Sequence, residues 1–124
     1  MRGCDGLHGQ IVSCPLQLGS GSDAFRTAWE RELLPAVADF EPEAIFLAAG
    51  FDGHADDPLA SMGLREDDFS WLTAQAVALA GDRVPIISVL EGGYQIDALE
   101  RCARAHVRAF IHGHHASRGA GDVR

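Results

Sequence analysis

The sequence has 124 residues, 47% hydrophobic and 23% charged, which fits one globular domain or a large piece of one and excludes a disordered chain. Its formal net charge of −8 repels phosphate backbones and argues against sequence-independent nucleic-acid binding. No apolar run approaches the ~20 residues that span a bilayer, and the N-terminus has no apolar stretch of the kind a signal peptide carries. The three cysteines, Cys4, Cys14 and Cys102, lack CxxC spacing. That argues against a disulfide framework or a cysteine zinc site, and makes a reducing cytoplasm the simplest compartment.

The first ten residues are Gly-rich and irregular. Ile11, Val12 and Ser13 read as a brief strand ending before Pro15, and Leu18 to Ser22 as a turn. Ser22 is placed to N-cap a helix over residues 23–40, with Asp23 near the positive end of its dipole. Phe25, Ala28, Trp29, Leu33, Val37 and Phe40 recur at three and four residues and form one stripe. Pro35 is expected to kink this segment, and Glu41-Pro42 ends it.

Residues 44–49 are continuously apolar and read as a buried parallel strand closed by Gly50. A long loop over 50–64 follows, rich in Gly, Asp, His and Pro. A second amphipathic helix covers 66–80, facing inward with Phe69, Leu72, Thr73, Ala76, Val77 and Ala80. Residues 84–90 form a second buried strand, with Pro85 near its start where a missing donor is tolerated. Glu91-Gly92-Gly93-Tyr94 is a turn. A third helix covers 97–110 with Leu99, Cys102, Ala103, His106, Val107 and Phe110 on one face, and residues 113–124 read as a disordered tail. Helices alternating with strands imply a parallel sheet, and ligand chemistry in such sheets gathers at the carboxyl ends of the strands. The loops at 50–58 and 91–94 both follow strand ends, so they lie on one edge of the sheet.

Gly50-Phe51-Asp52-Gly53-His54-Ala55-Asp56-Asp57-Pro58 gathers three carboxylates and an imidazole, donors suited to zinc or a hard divalent ion. Asp52 follows directly on a strand, a rigid mounting for a ligand, although Asp before Gly is also an ordinary turn residue. Tyr94, the only tyrosine, suits either a hydroxyl donor to a developing oxyanion or a packing role at the turn. Gly92 and Gly93 allow backbone close to a ligand or a positive φ. His112, His114 and His115, and Arg101, Arg104 and Arg108, read as solvated, and Cys14 as a small buried hydrophobe.

Two motifs in this order resemble the histone deacetylase and acetylpolyamine amidohydrolase superfamily, class II-like. Leu47 to Leu59, with Phe51-Asp52-Gly53-His54 and Asp57-Pro58 inside it, is similar to that family's metal loop. Ser88-Val89-Leu90-Glu91-Gly92-Gly93-Tyr94 is similar to its catalytic tyrosine loop. The stretch from Cys14 to Ser22 is also similar, and the resemblance covers about residues 6–112. It implies an arginase/deacetylase-like three-layer α/β fold, here its C-terminal portion over residues 1–112, and hydrolysis of acetyl-lysine or acetylpolyamine amides with zinc. By that resemblance Asp52 is a zinc ligand, Tyr94 the oxyanion tyrosine, and Gly92 and Gly93 line the acyl tunnel. Asp57 and Pro58 shape the metal loop, and His54 has no assigned chemistry.

No Asp-x-His pair is followed by the family's pattern, and the adjacent His114-His115 lies after the tyrosine loop, the wrong end of the chain for the family's His-His dyad. The chain alone is therefore expected to bind zinc weakly or not at all, to be inactive, and to need an N-terminal complement or to self-associate through an open sheet edge. The alternative is a non-catalytic binding or oligomerisation module built on the same fold.

Overall fold

The computed structural model describes residues 11–119, with side chains through Gly113. Helix α1 (Ser22–Ala28) continues through a π-helical turn (Trp29–Leu33) into α2 (Leu34–Phe40). Strand β1 (Ile45–Ala49), helix α3 (Glu66–Ala80), strand β2 (Ile86–Leu90) and helix α4 (Ile96–Gly119) follow. The strands pair in parallel, Ile45 opposite Ile86 through Ala49 opposite Leu90, so α3 is the crossover. The result is an incomplete α/β fold with a two-stranded sheet among the described residues.

Apart from the C-terminal end of α4, the sequence pattern locates these elements to within one or two residues. Residues 11–13 are an exception: they form no strand. They find no partner strand among the described residues, and a lone extended segment has no ladder to join. The π turn has a cause in Pro35. A proline has no N–H and its ring crowds the carbonyl four residues back; the widened turn, with the Leu34 N–H bonded to the Trp29 carbonyl, relieves that crowding. Ser22 is not the cap, since Gly21 is, and the Ser22 hydroxyl instead donates to Asp68 at 2.7 Å. Glu41 ends α2 in the left-handed region at φ 51°.

The core lies where α3 and α4 pack on the inner face of the strands. Phe51, Leu64, Phe69 and Cys102 form its buried centre. Phe51 meets Phe69 edge to face at 5.2 Å, a geometry the ring quadrupoles favour. His106 is the polar member. Thr73 Oγ1 already donates to the Phe69 carbonyl, so it accepts from His106 Nδ1 at 2.6 Å, and His106 Nε2 accepts from the Ser88 hydroxyl at 2.9 Å. Those bonds define a neutral imidazole, and burial pushes its pKa down.

Three expectations change here. The strands are not buried on both faces: Phe46 and Val89 are 70% and 59% exposed, and Ile87 is exposed beside them. Two helices cover only one side of a sheet, and nothing described covers the other. Val107 and Phe40 are likewise exposed, at the margins of their stripes. Finally, α4 runs on through Gly119, where a structureless tail is expected from residue 113; residues 120–124 lie outside the described residues.

Candidate active site

The strand ladder does not stop at the ends of β1 and β2. The Glu91 N–H donates to the Ala49 carbonyl at 3.1 Å, and the Phe51 N–H donates to the Gly92 carbonyl at 2.8 Å. The loop carrying Asp52 and the loop carrying Tyr94 are thereby stitched side by side at the carboxyl ends of the strands, as parallel pairing requires.

Asp52 lies over two glycines. A Cβ at Gly50 would stand 3.1 Å from Asp52 Oδ1, and a Cβ at Gly92 would stand 3.3 Å from its Cγ. The exposed carboxylate thus takes the space that both glycines leave open. Gly93 adopts φ 126°, and a Cβ there would press on Leu99 and Phe51, so this position needs glycine twice over. Tyr94 is 60% exposed.

The Asp52 loop is held from beneath by His54, Glu66 and Arg101. His54 is 1% exposed. Its Nδ1 accepts the Asp56 N–H at 3.0 Å, which puts the ring proton on Nε2, 3.5 Å from Glu66 Oε1. Nε2 is buried with no normal hydrogen-bond partner among the described residues. Arg101 grips Glu66 through Nε and Asp56 through Nη2, the latter at 2.9 Å. The Arg101 guanidinium holds the Glu66 carboxyl down to about 2. Arg101 is therefore an anchor joining α4 to the Asp52 loop and the start of α3, and not part of a merely solvated face. Arg104 pairs with Glu100 one turn away on the same helix.

Asp57 is buried and reaches across the site. Its Oδ1 accepts the Leu59 N–H at 2.9 Å; its Oδ2 accepts the Tyr94 N–H at 2.7 Å and the Gln95 N–H at 3.2 Å. Asp68, wholly buried, joins α1 to α3 by accepting from Ser22, Arg26 Nε and the Arg65 N–H. A signal for Asp68 exists in the sequence: a carboxylate three residues past the end of a loop is where a capping box places its acid. Nothing local signals that Asp57 reaches a residue 37 positions away.

The loops bearing Asp52 and Tyr94 are therefore brought side by side, with Asp52 against Gly92. Cys14 is half-buried near Glu32, well away from them, and His112 is exposed. Cys4 and the side chains of His114 and His115 lie outside the described residues. Among the described residues no three His, Cys, Asp or Glu side chains converge as a metal-ligand set. Asp52 is a single donor, so these residues do not by themselves fit a zinc ion, which takes three protein ligands in a catalytic site.

Residues 2–110 match the histone deacetylase domain. Type-2 histone deacetylase 2 of Dictyostelium discoideum is 40% identical over 108 residues, covering 83% of this chain and 6% of that protein. The histone deacetylase-like amidohydrolase of Pseudomonas aeruginosa is 39% identical over 107 residues, covering 83% of this chain and 28% of that one. Among solved structures, acetylpolyamine aminohydrolase from Burkholderia pseudomallei superposes with a TM-score of 0.72 at 35% identity, covering 80% of this chain and 28% of the other. The chain spans less than a third of each of these relatives. It belongs to the histone deacetylase family and carries a portion of the deacetylase α/β fold.

Proposed function

We propose that this chain supplies the metal-loop aspartate and the oxyanion tyrosine of a deacetylase site, and that residues outside this sequence complete it. The observation carrying the proposal is the stitching of the Asp52 and Tyr94 loops at the carboxyl ends of two parallel strands. In this reading the Tyr94 hydroxyl donates to the oxygen of an acetyl amide as negative charge develops there. A fixed donor of that kind is worth roughly 3 kcal/mol of barrier. By the same family resemblance, the backbone of Gly92 and Gly93 lines the path of the acyl chain. The substrate class is an acetylated lysine or an acetylpolyamine, and the three thiols suit a reducing compartment, the cytoplasm.

Zinc is the metal this family resemblance implies, with Asp52 as one ligand. The remaining donors come from elsewhere, so the chain alone holds zinc weakly or not at all and is inactive. The exposed apolar face of Phe46, Ile87 and Val89 supports the same view, because a doubly wound sheet covers both of its faces. We assign that face, with the open sheet edges, to the complement of the fold or to a second copy of the chain. The exposed face also favours a second reading, a non-catalytic oligomerisation module. The two separate on whether Tyr94 matters once the complement is supplied.

The test is hydrolysis of a fluorogenic acetyl-lysine amide by the purified chain with zinc, beside Tyr94→Phe, together with zinc uptake against a chromophoric chelator. The expected result is no hydrolysis above the Tyr94→Phe level and no stoichiometric zinc. Hydrolysis that Tyr94→Phe abolishes refutes the need for outside residues.

A further inference from the structure

We propose that Asp57 is the positioning residue that sets Tyr94 against Asp52. The backbone of Asp57 belongs to the metal loop, where its N–H donates to the His54 carbonyl at 2.9 Å. Its carboxylate belongs to the other loop, where Oδ2 takes the Tyr94 and Gln95 N–H groups at 2.7 and 3.2 Å. One side chain thus spans the two loops that the chemistry needs in register.

The need for such a strap follows from Gly93. The backbone stitch between the loops ends at Gly92, whose carbonyl holds Phe51. Gly93 comes next, at φ 126°, and a glycine there is a swivel. Tyr94 lies beyond the swivel, and Asp57 grips its N–H directly. The grip continues into α4: Gln95, held by the same oxygen, caps the helix by accepting the Ala98 N–H at 2.6 Å. A buried carboxylate with N–H donors on both oxygens makes stronger bonds than a neutral acceptor. The Tyr94 N–H is the chief reason this carboxyl stays below its ordinary range despite burial, so it is ionised at neutral pH.

The catalytic meaning of the strap rests on reading Tyr94 as the oxyanion donor, while the strap itself does not. Its test accordingly uses no activity, and a silent deacetylase assay leaves its result standing. Tyr94 is the only tyrosine, so labelling with 15N-tyrosine gives one backbone amide resonance. In Asp57→Asn that resonance is expected to move upfield, and its hydrogen exchange to quicken at least about tenfold. The amides of Trp29 and Trp71, labelled separately, should keep their exchange rates. Asp57→Ala should show the larger change; where it fails to fold, Asp57→Asn still decides. An unmoved Tyr94 resonance with unchanged exchange overturns the proposal. So does an acceleration shared equally by the two tryptophans, which marks a global loss of stability.

Discussion

Replacing Asp68 with asparagine tests how α1 is held to the rest of the molecule. The carboxylate is wholly buried and accepts from the Ser22 hydroxyl at 2.7 Å, Arg26 Nε at 2.9 Å and the Arg65 N–H at 3.0 Å. Asparagine leaves one oxygen for three donors and turns an amide toward a guanidinium. Hydrogen bonds to a charged acceptor contribute about 1.5–3 kcal/mol each. Arg26 is partly exposed and rehydrates when released, which discounts its share. The net cost is about 3 kcal/mol. With a urea slope of about 1–2 kcal/mol/M, the unfolding midpoint falls by roughly 1.5–3 M. Trp71, whose ring lies 5.4 Å from the Arg26 guanidinium carbon, reports the transition by fluorescence. The pH dependence supplies a second arm. Burial pushes the Asp68 carboxyl up, but its bonds from Ser22, Arg65 and Arg26 outweigh that and hold it below the ordinary 3.8. Its folded pKa is depressed, so its contribution is present above the unfolded value and lost as pH falls through the folded one. The wild type should therefore lose stability below about pH 4 more steeply than Asp68→Asn. A midpoint shift below ~0.5 M, or parallel acid profiles, would refute the reasoning.

Three further outcomes follow from packing and burial. Gly113→Ala brings a Cβ to 2.5 Å from Val77 Cγ1, and a β-branched valine on a helix has little freedom to turn away. Despite the better helix propensity of alanine, stability should drop by about 1–2 kcal/mol in urea unfolding, and a neutral result would mean that α3 and α4 do not approach this closely. His106, whose imidazole pKa is lowered by burial, should contribute stability fully present above the ordinary 6.5 and lost as pH falls below it. His106→Gln should flatten the pH dependence between about pH 5 and 7, and an unchanged slope counts against a buried neutral ring. Cys102 is fully buried with its thiol pushed up to about 12, so in native protein it should resist a thiol-reactive disulfide that labels Cys14; equal labelling by mass spectrometry would contradict that burial.

The elements were legible because periodicity survives in short helices and strands. Phe69, Thr73, Ala76, Val77 and Ala80 recur at helical spacing and, with Asp68, are the residues α3 buries. The juxtaposition of Asp52 with Gly92 was legible too, since parallel strands place their following loops on one edge. What stayed hidden are contacts between residues distant in sequence. The sequence assigns no chemistry to His54, gives Asp57 by resemblance only a part in shaping its loop and does not single out Asp68, yet all three are buried. Their partners lie on other elements: Glu66 for His54, Tyr94 for Asp57, Ser22 and Arg26 for Asp68. Arg101 misled for the same reason, because three- and four-residue spacing of arginines describes a helix face and says nothing of what that face meets.

The lone donor at Asp52 and the bare outer face of the sheet have a common explanation. In a three-layer α/β arrangement, the strands and loops on one side of the sheet supply part of a site at its carboxyl edge, and the rest arrives from neighbouring strands. The described residues hold two paired strands, with Phe46 and Val89 where a second helix layer would pack and, among the described residues, no convergent set of donors beside Asp52. An apolar cavity of about 240 Å³, lined by Phe25, Trp29, Leu47 and Phe69 among others, also stands open between α1 and β1. Protein interiors pack with few voids larger than a water molecule, so such a space asks for further side chains. The polar straps at Asp57, Asp68 and Arg101 show how these loops keep their shape regardless: each crosses between elements and finds its hydrogen-bond partners within the chain. The loops bearing Asp52 and Tyr94 are thus organised by residues of this chain, while nothing among the described residues covers the outer face of the sheet.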